Sequence, residues 1–175
     1  MDLLSALSLI RAIPDYPKPG ILFQDITPLL SDAEAFESII RSFADLDDKA
    51  DIAVGVEARG FILASALAIK RNIGFVPIRK KGKLPADTFT QSYGLEYGVD
   101  EVEIHCDAFR SGMKVTLVDD VLATGGTLEA AVKLINEAGA QLTSIIVLFE
   151  IVALKGRSRL EKIAPGIPIH ALVKN

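Results

Sequence analysis

The chain is 175 residues long, half of them apolar and 24% charged, which fits one globular domain with a sizeable core and excludes a disordered chain. Its formal net charge of −4 argues against binding nucleic acid or an anionic membrane by broad electrostatic attraction, so an anionic ligand must be met by a local site. The single cysteine, Cys106, allows no intramolecular disulfide and has no zinc-site spacing with His105 or His170; a reducing cytoplasm is the expected setting.

The N-terminal stretch MDLLSALSLIRAI carries Asp2 and Arg11 and lacks a basic leader region, so it reads as a short amphipathic helix rather than a signal peptide. No run approaches the roughly eighteen uncharged apolar residues of a membrane span. Ser31-Asp32-Ala33-Glu34 has the spacing of a capping box, and Phe36, Ile39, Ile40 and Phe43 follow at helical intervals, which predicts an amphipathic helix. Residues 51–56 read as a buried strand, 60–70 as a helix and 73–78 as a second strand. Such alternation predicts an α/β fold with a mainly parallel central sheet flanked by helices. Residues 79–98, RKKGKLPADTFTQSYGLEYG, break the rhythm, mixing four basic residues, three glycines, a proline and polar aromatics without a helical or strand period. A loop of that length in a compact domain is usually functional or disordered. Residues 114–120 then read as a central strand, 127–138 as a helix stopped by Gly139, 142–149 as another strand, and 167–173 as a possible last strand.

The most informative stretch is VTLVDDVLATGGT, residues 115–127. A hydrophobic strand ends in two adjacent carboxylates and turns into a helix through small, donor-rich residues. Amides converging at a helix N-terminus bind phosphate, Gly125 and Gly126 permit close backbone approach, and Thr124 and Thr127 add hydroxyl donors. Asp119 and Asp120 would repel that phosphate, so they suit another part of the same ligand, such as the vicinal diol of a ribose. A ribose 5-phosphate fits both halves. The chain has neither a G-x-x-x-x-G-K-[ST] loop nor a G-x-G-x-x-G fingerprint. An ordinary strand-to-helix turn with an aspartate capping the helix is the alternative.

VTLVDDVLATGGT resembles the phosphoribosyl pyrophosphate motif of type I phosphoribosyltransferases. YPKPGILFQDITPLL at 16–30, VEARGF at 56–61, RKKGKLP from 79 and SYGLEYG ending at 98 narrow the resemblance to the adenine phosphoribosyltransferases, over essentially the whole chain. It implies one phosphoribosyltransferase domain over 1–175, with a small N-terminal hood over about 1–30 and a mobile lid loop over about 79–98. It also implies transfer of a ribosyl 5-phosphate from phosphoribosyl pyrophosphate to N9 of adenine, giving AMP and pyrophosphate, with Mg2+ held mainly through phosphoribosyl pyrophosphate and water and no metal-ligating side chains. By similarity Ala123, Thr124, Gly125, Gly126 and Thr127 cradle the 5-phosphate, and Asp119 and Asp120 hold the ribose hydroxyls, with Asp120 near the developing positive charge. Glu57, Ala58, Arg59 and Gly60 match the pyrophosphate loop, where an unusual peptide geometry aims backbone amides at the leaving group.

The same resemblance makes residues 79–98 the lid, with Arg79, Lys80 and Lys83 neutralising pyrophosphate, and relatives use such a basic residue from the neighbouring subunit of a homodimer. Glu96 matches the proton acceptor at adenine N7, and Tyr97 belongs to the lid. Phe23 stacks on the purine, Leu22 and Gln24 read its edge through backbone groups, Asp25 braces the hood, and Ile151 lines the pocket. Gln24 stands where many relatives carry Arg. His105 and His170 read as structural or surface residues. The competing functions are a phosphoribosyltransferase for another purine base, and a regulator that senses phosphoribosyl pyrophosphate without turnover. The second normally needs a DNA-binding domain or a basic RNA-binding face, which this acidic chain lacks.

Overall fold

The computed structural model describes residues 1–47, 49–95 and 98–175. They form two compact units, Met1–Asp45 and Leu46–Asn175.

In the first unit, α1 (Leu3–Leu7) is capped by Asp2, whose carboxylate accepts from the Ser5 amide. β1 (Arg11–Pro14) and β2 (Leu22–Asp25) pair antiparallel, with Ile13 opposite Phe23 and Ala12 opposite Gln24. Two helices follow, α2 (Thr27–Ser31) and α3 (Ala33–Ala44). The expected amphipathic helix forms, but its cap is one residue later than the capping-box reading. The Asp32 carboxylate accepts from the Ala35 amide at 2.9 Å, while the Ser31 hydroxyl donates back to the Pro28 carbonyl. Asp outcompetes Ser here because the charged acceptor also favours the helix N-terminus. Ala35, Ile39 and Phe43, spaced by four, are all fully buried along one face.

The second unit is built on a seven-stranded sheet in the order β5-β6-β4-β3-β7-β8-β9. The strands are β3 (Ile52–Val56), β4 (Gly74–Lys80), β5 (Thr88–Leu95), β6 (Gly98–His105), β7 (Lys114–Leu122), β8 (Gln141–Glu150) and β9 (Ile169–Lys174). β4, β3, β7, β8 and β9 run parallel, whereas β6 is antiparallel to both β4 and β5. α4 (Arg59–Arg71) joins β3 to β4, α5 (Gly126–Glu137) joins β7 to β8, and α6 (Gly156–Ile163) precedes β9. The two crossovers leave the adjacent strands β3 and β7 in opposite directions. Right-handed connections therefore put α4 and α5 on opposite faces of the sheet, and the crevice at the carboxyl ends of β3 and β7 is the topological switch point. Val54, Leu117 and Val118 fill the sheet core there with no exposed surface.

Residues 79–98 correct the aperiodic reading. Half of the stretch is strand: Phe89, Gln91 and Tyr93 turn inward while Thr90, Ser92 and Gly94 face out, a period of two that the polar Gln and Thr side chains disguise. The hairpin is fastened to α5 by Gln91 Nε2 donating to Glu137 at 2.9 Å. Among the described residues no helix is long and apolar enough to cross a membrane.

Candidate active site

The crevice at the switch point is built from three helix starts around one strand end. β7 carries Asp119 and Asp120 near its end, and the chain then bends through Ala123, Thr124 and Gly125 into α5. Gly125 occupies the position before the helix with φ 80°, a left-handed conformation that a side chain strains. No side chain caps α5, so an aspartate cap, the ordinary alternative for this motif, is not what the acid pair does. The first intrahelical bond runs from the Glu129 amide to the Gly125 carbonyl at 2.8 Å, so the amides of Gly126, Thr127 and Leu128 precede the ladder and face a cavity. Asp119, Val121, Ala123, Thr124, Gly125, Gly126, Thr127 and Leu128 line that cavity, of about 110 Å3, and the whole sequence-derived phosphate loop is among them.

The two aspartates touch each other carboxyl to carboxyl while meeting different neighbours. Asp119 lines the cavity and its Oδ1 accepts the Asp120 amide at 2.9 Å. Asp120 is 6% exposed and its Oδ2 meets the Arg59 guanidinium at 2.6 Å. Burial, and then the neighbouring Asp120 charge, push the Asp119 carboxyl well above the ordinary carboxylate range. Burial also raises Asp120, with Arg59 opposing it.

Arg59 opens α4, and that helix too has no side-chain cap. The peptide bond between Glu57 and Ala58 is cis. Gly60 sits so close to β7 that an added Cβ would stand 2.9 Å from the Val118 carbonyl and 3.0 Å from Asp119 Oδ1. The acid pair is thus bracketed by two uncapped helix N-termini, each a partial positive charge with donor amides.

Two of the three basic residues expected on the lid, Arg79 and Lys80, already have side-chain partners. Arg79 donates to both Glu57 oxygens, at 3.1 and 3.3 Å, and to the Lys83 carbonyl at 3.1 Å. Burial would raise the Glu57 pKa, but Arg79 and the Lys80 amide outweigh it and hold the carboxylate below its usual value. Lys80 Nζ contacts Asp100 and donates to the Tyr93 hydroxyl at 2.9 Å. The Lys83 amide donates to the buried Glu103 at 3.1 Å, fixing the turn after β4, and the Lys83 side chain is exposed. Glu96 and Tyr97 lie outside the described residues.

In the first unit, Phe23 is half-buried, with its ring edge-on to Tyr16 at 5.2 Å between centroids. Leu22 is exposed and Gln24 half-buried on the same strand. Asp25 braces this unit, accepting from the Thr27 hydroxyl, from Arg11 at 2.5 Å and from the Thr27 amide at 2.9 Å, which in that order lower its pKa to about 2. Ile151, directly after β8, donates its amide to the Leu122 carbonyl. His105 stands on β6 opposite Thr88, and His170 on β9 opposite Ile146; neither lines the cavity.

Gly156 went unrecognised in the sequence. It opens α6 and packs against the phosphate loop, where an added Cβ would come within 3.0 Å of the Ala123 carbonyl oxygen. Only its place in LKGRSRL, a glycine just before a basic helical segment, hinted at a role.

The described residues contain no group of three or more His, Cys, Asp or Glu side chains able to hold a metal ion. Asp120 is engaged by Arg59 and Asp119 lines the cavity, so a hard cation placed there would complete its shell with water or with oxygens of a bound substrate.

Residues 29–166 match the phosphoribosyl transferase domain family. An adenine phosphoribosyltransferase of Halothermothrix orenii is 55% identical over 154 residues, covering 87% of this chain and 91% of that one. Among solved structures, the adenine phosphoribosyltransferase of Thermoanaerobacter pseudethanolicus matches with a TM-score of 0.92 and 47% identity over 99% of both chains. That of Saccharomyces cerevisiae, complexed with an imino-altritol bisphosphate and adenine, matches with a TM-score of 0.90 and 36% identity over 98% of each chain.

Proposed function

The chain belongs to the phosphoribosyl transferase family, among the adenine phosphoribosyltransferases, and from that membership we infer how its residues carry the reaction. It transfers the 5-phosphoribosyl group from phosphoribosyl pyrophosphate to N9 of adenine, forming AMP and pyrophosphate. The observation that best supports our assignment of roles is the pair of uncapped helix N-termini on either side of Asp119 and Asp120.

The amides and hydroxyls of Ala123 to Thr127 hold the 5-phosphate at the start of α5. Glu57 to Gly60, at the start of α4, receive the leaving pyrophosphate. Between them the carboxylates hold the ribose hydroxyls, and Asp120 faces the charge that develops at C1′. The C1′–O bond breaks with its electron pair leaving on pyrophosphate, while the N9 lone pair closes the new bond to C1′. The proton lost from N7 passes to the Glu96 carboxylate, a role carried by the family resemblance and worth about 10²–10⁴-fold in similar chemistry. Magnesium, when bound, would be held mainly by substrate oxygens and water rather than by side chains, and would supply positive charge against the leaving pyrophosphate.

Arg79 and Lys80 reach pyrophosphate by exchanging Glu57 and Asp100 for phosphate oxygens, and Lys83 reaches it directly. Phe23 stacks on adenine, and the backbones of Leu22 and Gln24 read its edge. We take the protein to work as a homodimer, since Ile62, Ile69 and Phe75 of α4 and β4 are 40%, 84% and 36% exposed, apolar surface that a second copy would cover. The exposed free thiol of Cys106 fits a reducing cytoplasm.

The test is pyrophosphate release with each purine base in turn. Release with adenine alone is expected. Release with an oxopurine would move the chain to another acceptor, and binding of phosphoribosyl pyrophosphate without release would make it a regulator.

A further inference from the structure

α6 lies about thirty residues beyond the phosphate loop in sequence, and no part of the reaction scheme uses it. Yet its first residue is pressed into the back of that loop. A Cβ on Gly156 would meet the Ala123 carbonyl oxygen at under 3.0 Å, the Gly125 amide nitrogen at 3.0 Å and Leu122 Cδ1 at 2.8 Å. The leucine methyl can swing aside, but the other two atoms are the backbone of the loop itself. The contact is reciprocal: a Cβ on Gly125 would stand 2.9 Å from the Gly156 carbonyl oxygen. The two glycines pack back to back, and each needs the other to be bare.

A second link joins the same helix to the site. Arg159 donates to Glu129, which lies in the first turn of α5, and Lys133 holds the other Glu129 oxygen at 2.6 Å. A carboxylate in that turn faces the phosphate end of the helix and would repel a phosphoryl group if left bare. Its two cations keep it ionised, with a pKa below the usual value, and offset its charge. Arg159 also stands 3.6 Å from where a Cβ on Gly126 would be.

We propose that α6 is a working part of the phosphoribosyl site: Gly156 is a positioning residue that sets the conformation of Ala123–Gly125, and Arg159 screens Glu129 from the bound 5-phosphate. The proposal rests on the assignment of that loop to the 5-phosphate. Gly156 is buried and has no positive φ, so nothing but this close approach demands glycine there. Within a helix Gly→Ala ordinarily raises helix propensity. Here it must displace the loop by roughly an ångström, a scale at which misplacement costs about 10²-fold.

Gly156→Ala and Arg159→Ala in the full chain test this by steady-state kinetics and thermal unfolding, with wild type run in parallel. For Gly156→Ala, KM for phosphoribosyl pyrophosphate rises tenfold or more and competitive inhibition by inorganic phosphate weakens, while KM for adenine stays within twofold. For Arg159→Ala, the same KM rises several-fold and Arg159→Lys restores it. An unchanged phosphoribosyl pyrophosphate KM in folded Gly156→Ala overturns the proposal, as does an equal loss for both substrates that follows the folded fraction. Should Gly156→Ala not fold, an unchanged KM in Arg159→Ala overturns it. If wild type releases no pyrophosphate with any base, the reaction assignment has failed instead.

Discussion

Arg59 Nη2 lies 2.6 Å from Asp120 Oδ2, across the gap between the start of α4 and the end of β7. That pair ties the two halves of the site together, joining the loop assigned to pyrophosphate to the acid assigned to the ribose. Arg59 is one-third exposed and stays solvated if its partner changes, so Asp120 can be neutralised without stranding a buried cation. Asp120→Asn is expected to lower kcat by about 10²-fold or more, the scale of losing one electrostatic stabiliser of a transition state. Its melting temperature should stay within a few degrees of wild type, as for roughly 1 kcal/mol in a chain this size. Loss of activity only in proportion to lost folded protein would make the acid pair structural.

Asp119 gives a pH dependence of unusual sign. Its folded pKa is raised, first by burial and then by Asp120, so the folded chain holds this proton more tightly than the unfolded chain. Stability is therefore lost as pH rises from the ordinary carboxylate range towards the raised folded value. Asp119→Asn removes that penalty: melting curves should show little difference near pH 4 and a gain for the variant that sets in as pH rises above the ordinary carboxylate range. Its KM for phosphoribosyl pyrophosphate should rise at the same time, a trade of function for stability. A variant less stable than wild type at pH 8 would show that the ionised carboxylate is a net stabiliser.

Much of this was legible in the sequence because each element carried its own period or punctuation. β7 and α5 meet where β-branched residues give way to Ala-Thr-Gly-Gly-Thr, and the cavity lining includes that loop residue for residue. What was missed depended on partners far away in the chain. β5 looked like loop because its alternation runs through Gln91, Thr90 and Ser92, and only its antiparallel pairing with β6, with Gln91 tied to Glu137 of α5, makes a strand of it. β1 and β2 are four residues each, and Pro14 ends the first. Gly156 gave no local sign, since the atoms that exclude a side chain there belong to residues 122–125. The engagement of Arg79 with Glu57 likewise spans two strands and could not be read from either.

Asp47 is an internal control, remote from the reaction scheme. It is 6% exposed and accepts from the Thr143 and Ser144 hydroxyls at 2.5 and 2.7 Å and from the Lys49 amide at 2.8 Å. Burial works to raise its pKa, but those donors outweigh it and the net effect is a lowered value. Its contribution is present above the ordinary carboxylate pKa and is lost as pH falls through the lower folded value. Asp47→Ala should cost about 1–3 kcal/mol in urea unfolding at pH 7, the price of unpaired buried donors, and less at pH 3. Both KM values should be untouched; a changed KM in the folded variant would contradict this assignment.

Phe23 separates base recognition from sugar-phosphate recognition. Phe23→Ala should raise KM for adenine by roughly tenfold, which corresponds to an aromatic contact of about 1.5 kcal/mol, and leave KM for phosphoribosyl pyrophosphate unchanged. The opposite pattern would assign Phe23 to packing within its own unit, where it already meets Tyr16.

The most direct measurement is a crystal structure of the full chain with AMP bound. Phosphate density within hydrogen-bond distance of the amides of residues 124–127, with the ribose hydroxyls on Asp119 or Asp120, is the expected result. Nucleotide seated elsewhere, with that loop contacting only water, would contradict the central claim that the end of β7 and the start of α5 grip the two ends of one sugar phosphate.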